Sequence, residues 1–180
     1  MAPYDIRLVG DPVLRQPASE VTEIDDRLVR LAEDMVATMY EAPGIGLAAP
    51  QVGVQKRLFV YDLHDEQGAH VIVNPVISET RGEWVYEEGC LSVPDLSWEI
   101  VRPKEVHLRG IDLDGNEVSF EADELLARMF QHEVDHLDGI LLLERLDPEQ
   151  AKEAKRVLRD RALAAADDEP RRRLRLPDRG

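Results

Sequence analysis

The segment MFQHEVDHLDG, residues 129–139, sets His132 and His136 four positions apart, with Glu133 beside the first. On a helix, positions i and i+4 share a face, so both imidazoles can hold one metal ion while the carboxylate handles a proton. A hydrolytic metal site normally has three protein ligands and a fourth position open to water. The two histidines therefore need a partner. The same five residues also fit two half-buried histidines paired with Glu133 or Asp135, and Leu125, Met129 and Phe130 put at least one side of the helix in a core.

Three sources for the third ligand follow from the sequence. The metzincin arrangement needs a histidine six positions past His136; Gly139 suits that pattern, but position 142 is Leu142. A glutamate from a following helix, Glu149 or Glu153, is a second source, although both lie in a strongly polar segment. The third is the lone cysteine, Cys90, in YEEGCLSVP. A thiolate is a strong, soft ligand for zinc or ferrous iron, and metal binding deprotonates it. Gly89 before it permits a tight backbone that presents the sulfur together with a neighbouring N–H. A lone cysteine is more often an inert buried residue. A further unusual stretch, GIGLAAPQ (44–51), lacks the preceding strand of a dinucleotide fingerprint and the Gly-Lys-Ser/Thr of a P-loop. It reads as a loop whose backbone can approach a ligand, ending in the amide donor Gln51.

GIGLAAPQ, EGCLS and QHEVDH, in this order and at these spacings, resemble the three signature motifs of the peptide deformylase family. The resemblance covers residues 5–147, including GDPVLRQPA and HLDGILLLERL. It implies that Cys90, His132 and His136 ligate one divalent ion, physiologically Fe2+, with Zn2+, Ni2+ or Co2+ able to substitute. It implies Glu133 as general base and then proton carrier, with Gln51 and the backbone N–H of Leu91 binding the oxyanion. Gly44, Ile45, Gly46, Tyr86, Glu88, Gly89, Leu125, Arg128 and Met129 are the expected substrate contacts. Ile45, Tyr86, Leu125, Met129 and the stem of Arg128 are the expected wall of an unbranched apolar pocket. The implied reaction is hydrolysis of the N-formyl group from formyl-methionine at the start of new polypeptides, releasing formate. The competing readings are a zinc endopeptidase and a non-catalytic, metal-stabilised peptide-binding module. Relatives often carry an arginine or an aromatic residue shortly after EGCLS; here the stretch is VPDLSWEI, so the role of residues 95–98, Trp98 included, is left open.

These residues must be positioned by a small set of elements. Leu28, Leu31, Ala32, Met35 and Met39 recur at helical spacing and predict an amphipathic helix over residues 25–40. Pro43, Gly44 and Gly46 then predict a loop. Strands are expected at 57–63 and 69–75, a strand, turn and strand over 76–89, and a hairpin at 105–122 turning at Asp114-Gly115. Helical periodicity returns from about residue 123 to 137, with Gly139 as its stop. A last helix is expected over residues 148–165, with Pro148 in its first turn, and residues 166–180 as a flexible charged tail. The sum is an α+β fold: a single catalytic domain over residues 1–165, with short antiparallel sheets around a central metal-binding helix and a helix at either end.

Composition sets outer limits. The 180 residues are 43% hydrophobic and 33% charged, as expected for one soluble domain with a core. No apolar run is long enough to span a bilayer and no signal segment is visible, so no membrane partner is expected. One cysteine fits a reducing cytoplasm. A net charge of −15 argues against DNA binding. Residues 147–180 nevertheless carry ten Lys/Arg against eight Asp/Glu. Lys152, Lys155, Arg156, Arg159 and Arg161 on the last helix are therefore candidates for docking on the ribosome, whose nascent formyl-methionyl chains would be the substrate.

Overall fold

The computed structural model describes residues 4–173, with side chains described through residue 164. Packing divides the chain into two units, Met1–Leu142 and Leu143–Gly180. The first carries every element around the metal-binding pattern. Its opening helix, α1 (Asp26–Glu41), is capped by Asp25, whose carboxylate accepts from the N–H groups of Arg27 and Leu28. Leu28, Leu31, Ala32, Met35 and Met39 form its buried face.

Five strands form one antiparallel sheet: β1 (Gly46–Ala48), β2 (Leu58–Tyr61), β3 (His70–Arg81), β6 (Glu105–Ile111) and β7 (Glu117–Asp123), in the order β1-β2-β3-β6-β7. The strands β4 (Trp84–Cys90) and β5 (Val93–Arg102) pair separately. The sheet is covered on both faces. Phe59, Tyr61 and Ile72 belong to the core cluster that includes Ala127, Phe130 and Leu137 of α2 (Glu124–Leu137). Leu58, Val60 and Val73 join the cluster of α1 instead. Burial on both faces explains why LFVY, residues 58–61, is a continuous apolar run rather than an alternating one.

The helix that carries His132 and His136 is anchored by aromatic packing. Phe130 meets Tyr61 edge-on at 5.3 Å between centroids and lies 5.6 Å from Phe120 and 5.9 Å from Phe59. Gly139, at φ 74°, ends the helix; a Cβ there would stand 2.8 Å from the backbone carbon of Arg15.

Three elements differ from the expectation. Residues 70–81 form one strand, β3, that runs through Pro75. Its pairing with β6 is irregular between Val73 and Val76, where a proline without an N–H is tolerated. Asn74, at φ 50°, bridges that irregularity to Val21 by bonds to both its N–H and its C=O, each 2.9 Å. The loop expected after α1 contains the short strand β1, and β5 occupies residues assigned no structure from the sequence.

In the second unit, α3 (Pro148–Arg173) extends into residues expected as tail. The alanines at 162 and 164–166 are strong helix formers and carry the helix past residue 165. The rest of the expected tail, residues 174–180, lies outside the described residues. Lys152, Lys155, Arg156, Arg159 and Arg161 are all exposed. Among the described residues, no helix is long and apolar enough to cross a membrane.

Candidate active site

The last residue of β4 meets the inner face of α2. Cys90 Sγ lies 3.2 Å from His136 Nε2, and one ligand atom each of Cys90, His132 and His136 falls within 4.8 Å of the others. Among the described residues this is the one group of three such side chains. Tetrahedral zinc with ordinary Zn–S and Zn–N lengths separates its ligand atoms by about 3.3–3.6 Å. The trio is therefore spaced for one ion, and its one thiolate and two imidazoles suit borderline-soft divalent metals. Burial pushes the Cys90 thiol up, but the His136 and His132 imidazoles outweigh it and hold the thiol well below its ordinary range.

A buried set of charges fixes these ligands. Glu88 Oε1 lies 2.6 Å from His132 Nδ1, which leaves Nε2 of that ring available to an ion. Both Glu88 oxygens bond Arg102, at 2.7 and 2.9 Å, and Oε2 also accepts from Arg128 at 2.7 Å. Arg102 reaches on to Asp135 at 2.8 Å. Burial works against the Glu88 carboxylate, yet His132 and Arg102 hold it well below the usual carboxylate range. Glu88, expected from the sequence as a substrate contact, lines the cleft but has both oxygens engaged by protein partners.

Glu133 is 3% exposed, and its Oε2 has no hydrogen-bond partner among the described residues. Burial is the chief force on it; the nearby histidines oppose the rise, and its carboxyl is pushed up to about 7. A Cβ on Gly46 would collide with this carboxylate, its Cδ lying 3.0 Å away. A Cβ on Gly44 would stand 2.8 Å from Leu91 Cδ1. The glycines of GIG thus admit two side chains of the site. Gln51 Oε1 accepts the Ala48 N–H at 2.9 Å, which assigns Nε2 as the end that donates to Ser92 Oγ at 3.2 Å and lies 3.8 Å from Cys90 Sγ.

These groups open on a cleft of about 790 Å³. Gly44, Ile45, Gly46 and Gln51 line it from one side, Tyr86, Glu88, Gly89, Cys90 and Leu91 from β4 and the turn after it. Leu125, Arg128, Met129, His132 and Glu133 line it from α2. Every residue that the resemblance implied for metal, catalysis or substrate therefore lies on the cleft except His136, which is buried beside Cys90. Of residues 95–98, left open from the sequence, Asp95, Leu96 and Ser97 also line it, as does Pro94; Trp98 does not. Arg102, Asp135 and Ser92 were not anticipated. Arg102 and Ser92 lie in or beside β5, which carried no recognised strand pattern, and Asp135 reads in sequence as one more charge on a helix.

The comparisons agree with this geometry. The family profile described as Polypeptide deformylase matches residues 3–152. Peptide deformylase from Halothermothrix orenii is 49% identical over 146 residues, covering 81% of this chain and 95% of that protein. Peptide deformylase 1 of Corynebacterium glutamicum is 51% identical over 163 residues, covering 88% and 96%. The crystal structure of the Synechococcus elongatus peptide deformylase in complex with actinonin superposes with a TM-score of 0.83 at 44% identity, covering 89% of this chain and 88% of that one. With a profile match over most of its length and relatives near half identity, the chain belongs to the polypeptide deformylase family.

Proposed function

We propose that Cys90, His132 and His136 hold one divalent ion, and that Glu133, Gln51 and the Leu91 N–H run the hydrolysis beside it. The family reaction is metal-dependent removal of the N-formyl group from the formyl-methionine of newly made polypeptides, with release of formate, and this chain is an enzyme of that kind. Family membership favours this over the endopeptidase and binding-module readings. The observation that carries the residue roles is the juxtaposition of the three candidate ligand atoms with Glu133, whose Oε2 has no hydrogen-bond partner among the described residues, on one cleft.

A bound ion supplies Lewis-acid polarisation of the formyl oxygen and a lowered pKa for water. Glu133 takes the proton of the attacking water and returns it to the departing amine, as its buried, raised carboxyl suits it to do. Gln51 Nε2, aimed by the Ala48 N–H and Ser92, and the Leu91 N–H donate to the oxyanion. One such donor is commonly worth about 3–4 kcal/mol. Gly46 leaves room for the Glu133 carboxylate at the cleft.

We assign Fe2+ as the physiological metal, with Zn2+, Ni2+ and Co2+ accepted by the same donors, and the cytoplasm as the compartment. Metal analysis of anaerobically purified protein, paired with formate release from formyl-Met-Ala peptides, tests the reading. Cleavage of internal bonds in blocked peptides without formate release would overturn it. The exposed basic residues of α3 are proposed to dock on ribosomal RNA. That idea fails if removal of residues 148–180 leaves ribosome co-sedimentation unchanged.

A further inference from the structure

The cleft wall facing the methionine contains one aromatic side chain, Tyr86, and its surroundings hold the ring in place. Tyr86 stacks on Trp84 with ring centroids 4.6 Å apart and planes 20° from parallel. The Arg128 guanidinium lies 5.1 Å from the Trp84 ring and 5.8 Å from the Tyr86 ring. Arg128 is itself fixed by Glu88 and by the carbonyls of Trp84, at 2.6 Å, and Ile100, at 3.0 Å. The Tyr86 ring remains 45% exposed and lines the cleft.

Distance along the elements places this ring near the end of the substrate side chain. Leu125, Arg128, Met129 and His132 all line the cleft from α2. Helical rise puts Leu125 about 10 Å along the axis from His132. Strand rise puts Tyr86 about 13 Å from Cys90. With the formyl carbon at the metal ligands, standard bond lengths carry the sulfur of an extended methionine about 6 Å from that carbon and its methyl about 8 Å. Directed along α2 and β4, such a side chain would pass Glu88 and Arg128 towards Tyr86 and Leu125, which line the same cleft. Favourable sulfur–aromatic contacts are made at about 5 Å, often at a ring edge. An immobilised ring loses little freedom on making one.

We infer that Tyr86 reads the thioether sulfur of the substrate methionine, so that this enzyme distinguishes methionine from its unbranched hydrocarbon isostere, norleucine. This rests on the deformylase reading and goes beyond it, since an apolar pocket alone would accept both side chains. Leu125 and Met129 supply shape; the ring supplies the preference for sulfur.

The test compares kcat/KM for formyl-Met-Ala-Ser and formyl-norleucine-Ala-Ser in the metal-loaded enzyme, Tyr86→Phe and Tyr86→Leu. The expected preference for methionine in the parent is about fivefold, within the range of measured sulfur–aromatic contacts. Tyr86→Phe keeps the ring and the preference, whereas Tyr86→Leu brings the two peptides within about twofold. Equal rates in the parent, a preference that survives Tyr86→Leu, or its loss in Tyr86→Phe would each overturn the inference. Failure of both peptides to release formate would instead overturn the deformylase reading.

Discussion

Arg102→Met removes the side chain that ties the cysteine strand to the histidine helix. Arg102 is 4% exposed and makes three short charge-assisted bonds, two to Glu88 on β4 and one to Asp135 on α2. Methionine fills much of the same volume, so little cavity energy enters. What remains is the loss of a shared cation from two buried carboxylates. Glu88 retains Arg128 and His132, so part of its compensation survives. Breaking a buried pair by deleting one partner costs about 3–5 kcal/mol, a large part of the roughly 5–15 kcal/mol that holds a domain folded. Because Glu88 orients His132, metal affinity should fall as well, by about 10–100-fold, as for the loss of other groups that orient a ligand. Chemical denaturation and competition with a metal chelator measure the two effects separately. Adding Asp135→Asn to Arg102→Met should recover part of the stability, since one of the two carboxylates that shared Arg102 is then neutral. An Arg102→Met protein with parental midpoint and parental metal affinity would refute this account of the brace.

Three further substitutions separate chemistry from scaffold. Glu133→Gln should keep the metal and the fold yet lower turnover by about 10²–10⁴-fold, the usual contribution of a positioned acid–base group; metal content and formate release report the two properties. Phe130→Ala removes the ring that Tyr61, Phe59 and Phe120 enclose. It should destabilise the fold by about 3–5 kcal/mol in denaturant unfolding, and a change under about 1 kcal/mol would show that α2 is held mainly by something else. Gly139→Ala forces an alanine to φ 74° and against the Arg15 backbone. A loss of about 1–3 kcal/mol is expected, read as a lowered Tm.

The parts of the site visible in the sequence were those whose chemistry is carried by local spacing. The i, i+4 histidines declare a helix face on their own, and the glycines of GIG declare a tight approach, although not to what. Helix periodicity likewise exposed α1 and α2, and the apolar run at residues 58–61 exposed β2. β1 was hidden because three residues are too few to show a period, and β5 because Pro94 and the positive φ of Asp95 interrupt its alternation. With β5 unseen, Arg102 looked like one arginine among many. Its function is set by Glu88 and Asp135, 14 and 33 residues away, and no local pattern records such a distance.

The same reasoning explains the glycines of GIG. Gly46 faces Glu133 of α2, and Gly44 faces the Leu91 side chain just past Cys90. The loop therefore touches both structures that carry the proposed metal ligands. A larger residue at either position would press on Glu133 or on Leu91, next to the cysteine, without altering any ligand. Glycine is needed here for the space its missing Cβ leaves, since neither position is among those with positive φ. In the proposed mechanism, proton transfer and oxyanion binding both depend on groups seated against this one loop, so its close approach would couple Glu133 to the cysteine turn across the cleft.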